Sequence, residues 1–546
     1  MNKFLFVLGL IVLQNSTQLI AQQISEEEKL ASTAKIWGFL KYYHPEVAKG
    51  KFDWDGQLLE ILPKVKQANG KEELSKVYLD WIASLGKVSL CRKCERDQNQ
   101  SYFDKNFDLS WIKDSSLFTP ELSRKLKFIE ENRFQGKHHY VSVRYEQVGN
   151  ISLKNEPKYK DLDWQDPNMR LLIAFKYWNI IEYFFPYKYQ TDEPWDKVLI
   201  TSIPKLKSAS TEKGFHRALQ QMVVKIDDTH GWFIAGKTKY RRPLFITKYV
   251  EDRIVVQDFY NHLDNLKSSL KIGDVVLDID GKPINEMIRD QLPYMWGSNK
   301  GSTYKNVKNF VIASPKEKKR KLRVLRGNDT IEVDVKYFSK DSLRAPKKKR
   351  WSLLSDRVGY VNMGKLTKED VTSMIDSLKD TKAIILDMRN YPKGALRKLA
   401  SYLIPEERLF YKQIQPDLGY PGRFIWRDGS TIGNSKNRKL YEGKVIILVN
   451  EMTQSRAEFN VMAFQMADNV ITIGSQTAGA DGDISKLELG GGIRTYMSGI
   501  GIFYPDGTET QRKGVKIDVE VHPTIEGIRE GRDEVLEKAI ELAGRP

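Results

Sequence analysis

The last third of the chain alternates between short apolar runs and amphipathic segments. Runs typical of buried strands, such as AIILDM and KVIILVN, are followed by segments with apolar residues at helical spacing, such as GALRKLASYL and RAEFNVMAFQ. Strands that alternate with helices predict an α/β layer with a mainly parallel sheet over residues 351–546. Functional groups in such sheets lie at the carboxyl ends of the strands. Ser455, just after KVIILVN, is at one of these ends.

The front of the chain is helical and contains an internal duplication. The segment IWGFLKYYHPEVAKGKFDWDGQLLEILPKVK recurs as YWNIIEYFFPYKYQTDEPWDKVLITSIPKLK, so that Trp178 follows Trp37 by 141 positions (178 minus 37). Each copy predicts an aromatic helix, a loop with proline and further helices, at residues 22–95 and 166–238. We interpret the aromatic residues as core packing. The connecting region, 96–165, has one alternating stretch that predicts strands. Six residues of the first copy recur at the same spacing: Trp37, Pro45, Trp54, Asp55, Pro63 and Lys66.

A β-rich module follows the second copy, at residues 239–340. Its segment KIGDVVLDIDGKPI has a tight turn on each side of a strand, at Gly273-Asp274 and at Asp280-Gly281. The segment resembles the PDZ module of many exported proteases, whose groove accepts an extended chain end by strand addition. A plain β-hairpin without a ligand is the alternative. A basic segment, SKDSLRAPKKKRW, connects this module to the α/β layer.

The first 21 residues have the pattern of a secretory signal peptide. Lys3 is followed by an apolar run from Phe4 to Leu13, and cleavage is expected near Ala21. A retained membrane anchor is the alternative, although the apolar run is only about half as long as a spanning helix. We therefore expect an exported protein without a membrane span in its mature chain, either periplasmic, associated with the cell envelope or secreted.

Charge changes this picture only slightly. The chain has 546 residues, which are too many for one domain. Its net charge is +17. In an exported protein such a charge favours acidic envelope polymers or peptides as partners over nucleic acid, although solvated basic faces are the simpler explanation.

The two cysteines, Cys91 and Cys94, form a lone CxxC motif. Such a motif is a disulfide, a redox pair or half of a metal site. No second CxxC and no pair of histidines at the usual zinc-site spacing completes a zinc site. We therefore predict a short local disulfide and no metal.

Ser455 allows two interpretations from its own segment. T-Q-S-R-A-E contains S-x-x-E, which predicts a capping box between Ser455 and Glu458. Alternatively, Ser455 is a nucleophile, and the free N–H groups and the dipole at the start of the helix stabilise the oxyanion that its attack creates.

Four motifs stand out in this region: NEMTQSRAE, AIILDMRNYPKG, GSQTAGADG and PDGTETQRKGVKIDVEV. They resemble those of the S41 serine peptidases, the family of C-terminal processing and tricorn-like proteases. NEMTQSRAE resembles the family's N-x-x-T-x-S-x-x-E segment, and AIILDMRNYPKG resembles its D-L-R-x-N-x-G-G strand and turn. GSQTAGADG resembles its T-x-G segment, and PDGTETQRKGVKIDVEV its late G-V-x-P-D segment. The resemblance covers residues 351–546. It implies a sheet-and-helix layer of the ClpP and crotonase type, with Ser455 as the nucleophile.

The general base departs from the commoner pattern of the family. C-terminal processing members place a lysine where this chain has Ala480, so the usual Ser-Lys dyad is absent, and Lys486 and Lys513 are not at the expected place. Tricorn-like members use a histidine upstream of the PDZ module. The segment KIDDTHGWF resembles that region and implies His230 as the base. A structural histidine in a turn is the alternative.

The resemblance also suggests the groups that assist the base and the oxyanion. A histidine base needs an acceptor that fixes its tautomer. The family's glutamate corresponds to Gln511, which we predict as the orienting residue, with Glu509 as the next candidate and Asp228 also within reach. The expected oxyanion donors are the N–H groups of Arg456 and Gly394.

The sequence therefore predicts an exported serine endopeptidase that hydrolyses polypeptides, with no metal or cofactor. A peptide-binding pseudo-peptidase is the first alternative, and Ala480, Gln511 and Lys393 support it because they replace family residues. An envelope scaffold driven by the repeat and the positive charge is the second.

Overall fold

The structure is a computed structural model. It describes residues 24–94, 99–144, 148–236, 239–260, 269–344, 349–355, 357–434 and 439–544. The expected signal peptide, residues 1–21, lies outside the described residues. Among the residues described, none of the helices has the length and apolar character needed to cross a membrane.

The N-terminal region is helical, as the sequence predicts. Its helices are α1 (Glu26–Tyr43), α2 (Pro45–Ala48), α3 (Trp54–Gln67), α4 (Gly70–Ser84), α5 (Pro120–Glu131), α6 (Pro167–Phe184), α7 (Trp195–Ser208) and α8 (Glu212–Val223). The connecting region contains strands β1 (Tyr102–Phe103), β2 (Val141–Val143) and β3 (Ile151–Leu153), and β2 and β3 form an antiparallel pair. The alternating stretch in this region therefore forms the predicted strands.

The duplication is visible in the positions and contacts of the helices. Helices α6 and α7 begin and end 141 positions after α1 and α3 (167 minus 26 and 195 minus 54, for example). In the first copy, the indole of Trp37 donates to the carbonyl of Trp54 at 2.9 Å and the indole of Trp54 donates to the carbonyl of Trp37 at 3.1 Å. Trp178 and Trp195 repeat this exchange at 3.0 and 3.1 Å. All four rings are buried, which confirms the prediction of core packing.

The two copies also exchange ion pairs at equivalent positions. Lys35 of the first copy pairs with Asp196 of the second at 2.7 Å, and Lys176 of the second pairs with Asp55 of the first at 2.5 Å. The copies therefore pack against each other as a nearly symmetric pair, and each contributes to one shared core.

The crossing of α1 and α6 leads to a prediction about stability. A Cβ atom at Gly38 would lie 1.7 Å from Oδ1 of Asn179, whose amide donates to the carbonyl of Ala34 at 3.0 Å. Alanine normally stabilises a helix by about 1 kcal/mol relative to glycine. Here we expect Gly38→Ala to lower the free energy of unfolding by about 2–3 kcal/mol, because the added methyl group overpacks the crossing. Urea denaturation measures the difference.

A second variant checks the cause of this loss. Asn179→Ala removes the side chain that the new methyl group would strike, so Gly38→Ala combined with Asn179→Ala should be more stable than Asn179→Ala alone. A Gly38→Ala protein as stable as the wild type would contradict the packing at this crossing.

Cys91 and Cys94 form the predicted disulfide. The guanidinium of Arg133 donates to the carbonyl of Cys94 at 3.0 Å, which attaches the small loop to the end of α5. The bridge joins residues only three positions apart, so it closes too short a loop to restrict the unfolded chain much.

The PDZ-like module is built on one antiparallel sheet and two helices. Its strands are β4 (Arg241–Pro243), β5 (Phe245–Val250), β6 (Arg253–Phe259), β7 (Val275–Ile279), β8 (Lys282–Pro283), β9 (Lys319–Arg326) and β10 (Asp329–Ser339), and its helices are α9 (Ile284–Gln291) and α10 (Lys300–Ile312). The strand order is β4-β10-β9-β7-β6-β5, with β8 beside β7. Both predicted turns are present. Their glycines, Gly273 and Gly281, have φ values of 88° and 79°, which favour glycine.

The C-terminal core has the predicted α/β architecture. Its strands are β11 (Trp351–Ser355), β12 (Val358–Asn362), β13 (Ala383–Asp387), β14 (Arg408–Leu409), β15 (Lys412–Pro416), β16 (Phe424–Asp428), β17 (Thr431–Ile432), β18 (Lys444–Val449), β19 (Val470–Gly474), β20 (Ile484–Gly490), β21 (Ile493–Ser498), β22 (Gly501–Phe503) and β23 (Val519–Glu520). Its main sheet has the order β11-β12-β13-β18-β19-β23, parallel except for β11. Its helices are α11 (Val371–Leu378), α12 (Leu396–Leu403), α13 (Arg456–Phe464), α14 (Ile525–Arg529) and α15 (Glu534–Gly544).

A second sheet joins the helical region to the core. Strand β1 of the connecting region pairs with β16, in the order β1-β16-β15-β22. Strands β20 and β21 form a separate hairpin, and Ile234 pairs with Arg494 beside it. The chain that leaves the second helical copy is therefore held against a hairpin of the core.

Candidate active site

Ser455 lies at the start of α13, after the loop that leaves β18. Its φ of 55° and ψ of −122° are rare for a residue with a side chain. Its N–H group donates to the carbonyl of Ala480 at 3.0 Å and to Oε2 of Glu458 at 3.1 Å. These two acceptors hold the backbone of Ser455 in its strained conformation.

Glu458 connects the Ser455 loop to the T-x-G segment. Its carboxylate is buried and accepts from the hydroxyl of Thr477 at 2.6 Å and from the N–H groups of Gly479 and Ala480 at 2.8 and 3.1 Å. Burial raises the pKa of Glu458, while these hydrogen bonds favour its ionised form. The contact from Glu458 to the N–H of Ser455 is one half of the predicted capping box. Capping and a nucleophilic role are therefore compatible at Ser455.

His230 lies in a buried turn after α8 that contacts the same T-x-G segment. The hydroxyl of Thr229 donates to the carbonyl of Ala478 at 3.1 Å. The N–H of Ala478 donates in turn to the carbonyl of Thr453 at 2.9 Å, two residues before Ser455. One short segment of the core thus contacts both the turn with His230 and the loop with Ser455.

The hydrogen bonds of His230 define its tautomer. Nδ1 lies 3.0 Å from the hydroxyl oxygen of Ser498, and that hydroxyl donates to Oδ1 of Asp228 at 3.1 Å. The N–H of Ser498 also donates to Asp228, at 2.6 Å. An ionised carboxylate only accepts, so the proton of the Ser498 hydroxyl points toward Asp228. The Ser498 oxygen is then the acceptor for Nδ1–H of His230, and Nε2 carries the free lone pair.

The surroundings of His230 favour its neutral form. Burial lowers the pKa of His230 below its ordinary value of 6.5, and the nearby charge of Lys305 acts in the same direction. The carboxylate of Asp228 opposes this shift without contacting the ring closely, because 3.8 Å separates Nδ1 from Oδ1. A neutral imidazole is the form that a general base requires.

The residues predicted to orient His230 have other partners. Gln511 is buried, and its Nε2 lies 3.5 Å from Oδ1 of Asp228. The carboxylate of Glu509 accepts from the hydroxyl of Tyr189 at 2.8 Å. In the structure, Ser498 contacts Nδ1 of His230, and Asp228 accepts from the Ser498 hydroxyl. No motif in the sequence marks Ser498, whereas Asp228 lies two residues before His230 and is one of the candidates that the sequence suggests for the orienting residue.

The two expected oxyanion donors lie in adjoining loops. The hydroxyl of Thr453 donates to the carbonyl of Met388 at 2.9 Å, and the guanidinium of Arg456 lies 5.5 Å from the ring centre of Tyr391. Both contacts join the Ser455 loop to the turn that contains Gly394. Within the described ranges, neither the N–H of Arg456 nor that of Gly394 donates a hydrogen bond to another group. Both are therefore available to an oxyanion.

The lysines near the site do not lie at the sequence position of the lysine in the family's Ser-Lys dyad. Ala480 is buried against the N–H of Ser455, while Lys486 and Lys513 pair with surface glutamates.

Lys305, on α10 of the PDZ-like module, donates to Oε1 of Gln454 at 3.1 Å, and burial lowers its pKa. Sequence reasoning missed Lys305 because it lies in another module. Among the residues described, no group of three or more His, Cys, Asp or Glu side chains is placed to hold a metal ion.

The fold and the site define an α/β core with a candidate serine nucleophile, preceded by a PDZ-like module. Residues 357–521 match peptidase family S41, and residues 242–358 match the PDZ domain. The core therefore matches peptidase family S41, whose carboxyl-terminal processing peptidases are serine-type hydrolases, and a module that matches the PDZ domain precedes it. Both parts of the resemblance seen in the sequence are confirmed.

Known proteins that resemble this chain include two processing proteases. A carboxyl-terminal-processing protease of a Picosynechococcus species is 24% identical over 231 residues, which cover 41% of this chain and 49% of the relative. Carboxy-terminal processing protease CtpA of Bacillus subtilis is 25% identical over 263 residues, 46% of this chain and 50% of the relative. The chain thus spans about half the length of these two relatives.

A solved structure shows the shared fold. The structure of mature CPAF complexed with lactacystin superposes with a TM-score of 0.54 at 14% sequence identity, and the match covers 68% of this chain and 97% of that one. The predicted fold class, a helical N-terminal region with a β-rich PDZ module and an α/β peptidase core, is confirmed.

Proposed function

We propose that this protein is an exported serine endopeptidase in which Ser455 attacks the peptide bond and His230 accepts its proton. The observation that carries this proposal is the hydrogen-bonded series from Asp228 through Ser498 to Nδ1 of His230. It leaves Nε2 free as an acceptor in a turn that contacts the same segment as the loop with Ser455. In the serine-hydrolase triad a carboxylate accepts directly from Nδ1–H of the base and fixes its tautomer. Here the hydroxyl of Ser498 lies between the two groups and supports the same tautomer.

The proposed reaction uses groups of this chain alone. The Ser455 oxygen attacks the carbonyl carbon while Nε2 of His230 takes the hydroxyl proton. The resulting oxyanion accepts hydrogen bonds from the N–H groups of Arg456 and Gly394. His230 then gives its proton to the departing amine, and water hydrolyses the acyl-enzyme by the reverse sequence. Asp228 offsets the imidazolium charge through Ser498.

Substrate and location belong to the same proposal. The relatives are processing proteases, which supports polypeptide as the substrate. Strand β5 is an edge strand of the PDZ domain, where an extended chain can add by main-chain hydrogen bonds. The apolar run that follows Lys3 supports export to the periplasm or the cell envelope.

Labelling with a fluorophosphonate probe tests the nucleophile and the base together. We expect the wild type to be labelled at Ser455, identified by mass spectrometry of the modified peptide, and Ser455→Ala to remain unlabelled. His230→Gln should be labelled at least about 100-fold more slowly, because no base activates the hydroxyl. Absence of labelling in the wild type would contradict the proposal and favour the peptide-binding pseudo-peptidase.

A further inference from the structure

Two cationic side chains lie in the two adjoining loops that contain the proposed nucleophile and the proposed second oxyanion donor. Arg456 follows Ser455 directly, and Lys393 precedes Gly394 in the adjoining turn. Both residues are exposed, and in the part of the chain that the structure describes neither forms an ion pair with a carboxylate. The contact between Arg456 and Tyr391 joins the two loops, so both charges belong to one rim.

Three acidic groups close to this rim have partners within the protein. Glu458 is buried and surrounded by hydrogen-bond donors. Asp387 and Asp533 both bind Arg389, at 2.9 and 2.7 Å. Glu451, four residues before Ser455, is partly buried, and its backbone carbonyl accepts from Nζ of Lys305 at 3.1 Å. The surface that an approaching polypeptide meets beside Ser455 is therefore positive.

The same rim has exposed apolar surface. Tyr391 is 58% exposed and Met452 is 48% exposed, whereas most large apolar side chains of the core are buried. Tyr391 lies in the turn with Lys393, and Met452 lies three residues before Ser455. A glutamate side chain matches this combination, since its two methylene groups can cover apolar surface while its carboxylate meets the cations.

We propose that this rim selects polypeptides with an acidic residue, glutamate in preference to aspartate, beside the bond to be cleaved. The selection rests on the proposed function, because it assumes that the bond to be cleaved lies at Ser455. It assigns the side chains of Arg456 and Lys393 a role in substrate choice, separate from the backbone donors of the same loops.

Peptide binding to the full-length Ser455→Ala protein tests the selection without requiring turnover. The probes are fluorescein-labelled peptides that share one sequence and differ only in Glu, Gln or Lys beside a central bond. Fluorescence anisotropy should give a Kd for the Glu peptide about tenfold below that for the Lys peptide, a difference of about 1.4 kcal/mol. The ratio should shrink when the salt concentration rises from about 50 to 300 mM, because salt screens exposed charges.

A charge exchange identifies the residues responsible. Arg456→Glu together with Lys393→Glu should reverse the preference, and glutamate at the first position of α13 also suits the helix dipole. The matched control, Lys64→Glu together with Lys213→Glu, changes the net charge equally at exposed positions of α3 and α8 and should retain the preference. An unchanged preference after the first exchange, or an equal loss after the second, overturns the inference.

Wild-type turnover separates this inference from the proposed function. Hydrolysis that depends on Ser455 but ignores the charge of the neighbouring residue contradicts only the acidic preference. A Glu preference in binding without any hydrolysis by the wild type supports the rim and contradicts only the proposed reaction.

Discussion

Replacing His230 by glutamine should lower kcat/KM for a casein-like substrate by about 10³-fold or more. Glutamine fills much of the same space and keeps a polar group near Ser498, but its amide cannot accept a proton from Ser455. The loss should appear mainly in kcat, because the imidazole acts on the reacting atoms and not on substrate binding. Initial rates of fluorescent casein hydrolysis measure the effect, with thermal unfolding of both proteins as a check on folding.

The other nitrogen base close to the Ser455 loop provides the decisive comparison. Lys305→Met removes an amine whose pKa burial lowers. A greater loss from Lys305→Met than from His230→Gln would assign the base to the PDZ domain and refute the role of His230.

In the wild type, the acid limb of kcat/KM should have its midpoint below pH 6.5. Activity requires neutral His230, whose lowered pKa keeps it neutral until the pH falls below that value.

Local patterns in the sequence predicted most of the fold. The strands of the core sheet are buried on both faces, so they appear as short apolar runs such as Ala383–Asp387 and Lys444–Val449. The helical duplication was predictable because both copies keep the residues that form their cores, including the paired tryptophans. The fixed spacing of the copies predicted equivalent helices, but not the exchange of ion pairs between them, which depends on how the copies pack.

The candidate site was predictable only where its residues occur in motifs. Ser455 and His230 each lie in a short segment that resembles a family pattern. Ser498 does not, and it reaches His230 from 268 positions away along the chain. Its position follows from the β20–β21 hairpin and from the pairing of Ile234 with Arg494. Such a contact is a property of the folded chain, and no local spacing encodes it.

The turn of His230 is also held by the PDZ domain. The N–H of Thr229 donates to the hydroxyl of Ser298 at 2.8 Å, and its hydroxyl lies 3.0 Å from that of Ser302 at the start of α10. The amide of Asn299 donates to the carbonyl of Thr477 at 2.8 Å. The helical region, the PDZ domain and the core therefore all position the candidate base. For this reason, the local sequence of any one of them does not predict the contacts of His230.

Asp228→Asn should reduce kcat by about 10²–10³-fold while the protein remains folded. The amide of asparagine can donate to the Ser498 oxygen, which would turn the Ser498 hydroxyl toward Nδ1 of His230. Nδ1 would then accept, and the imidazole proton would move to Nε2, where it blocks the transfer from Ser455. The pH profile distinguishes this effect from a structural one. Because Asp228 raises the pKa of His230, its replacement should move the acid limb to lower pH as the plateau falls.

Ser498 lies between Asp228 and His230, so a second variant tests whether Asp228 acts through the Ser498 hydroxyl. If Asp228 acts through Ser498, then Asp228→Asn should cost much less in a Ser498→Ala background than in the wild type, because the bridge is already missing. Independent effects would instead multiply. A multiplied loss, or a plateau in Asp228→Asn within about threefold of the wild type, would mean that the hydroxyl bridge does not govern the tautomer. The orienting role would then return to the neighbouring Gln511, whose Nε2 also reaches Asp228.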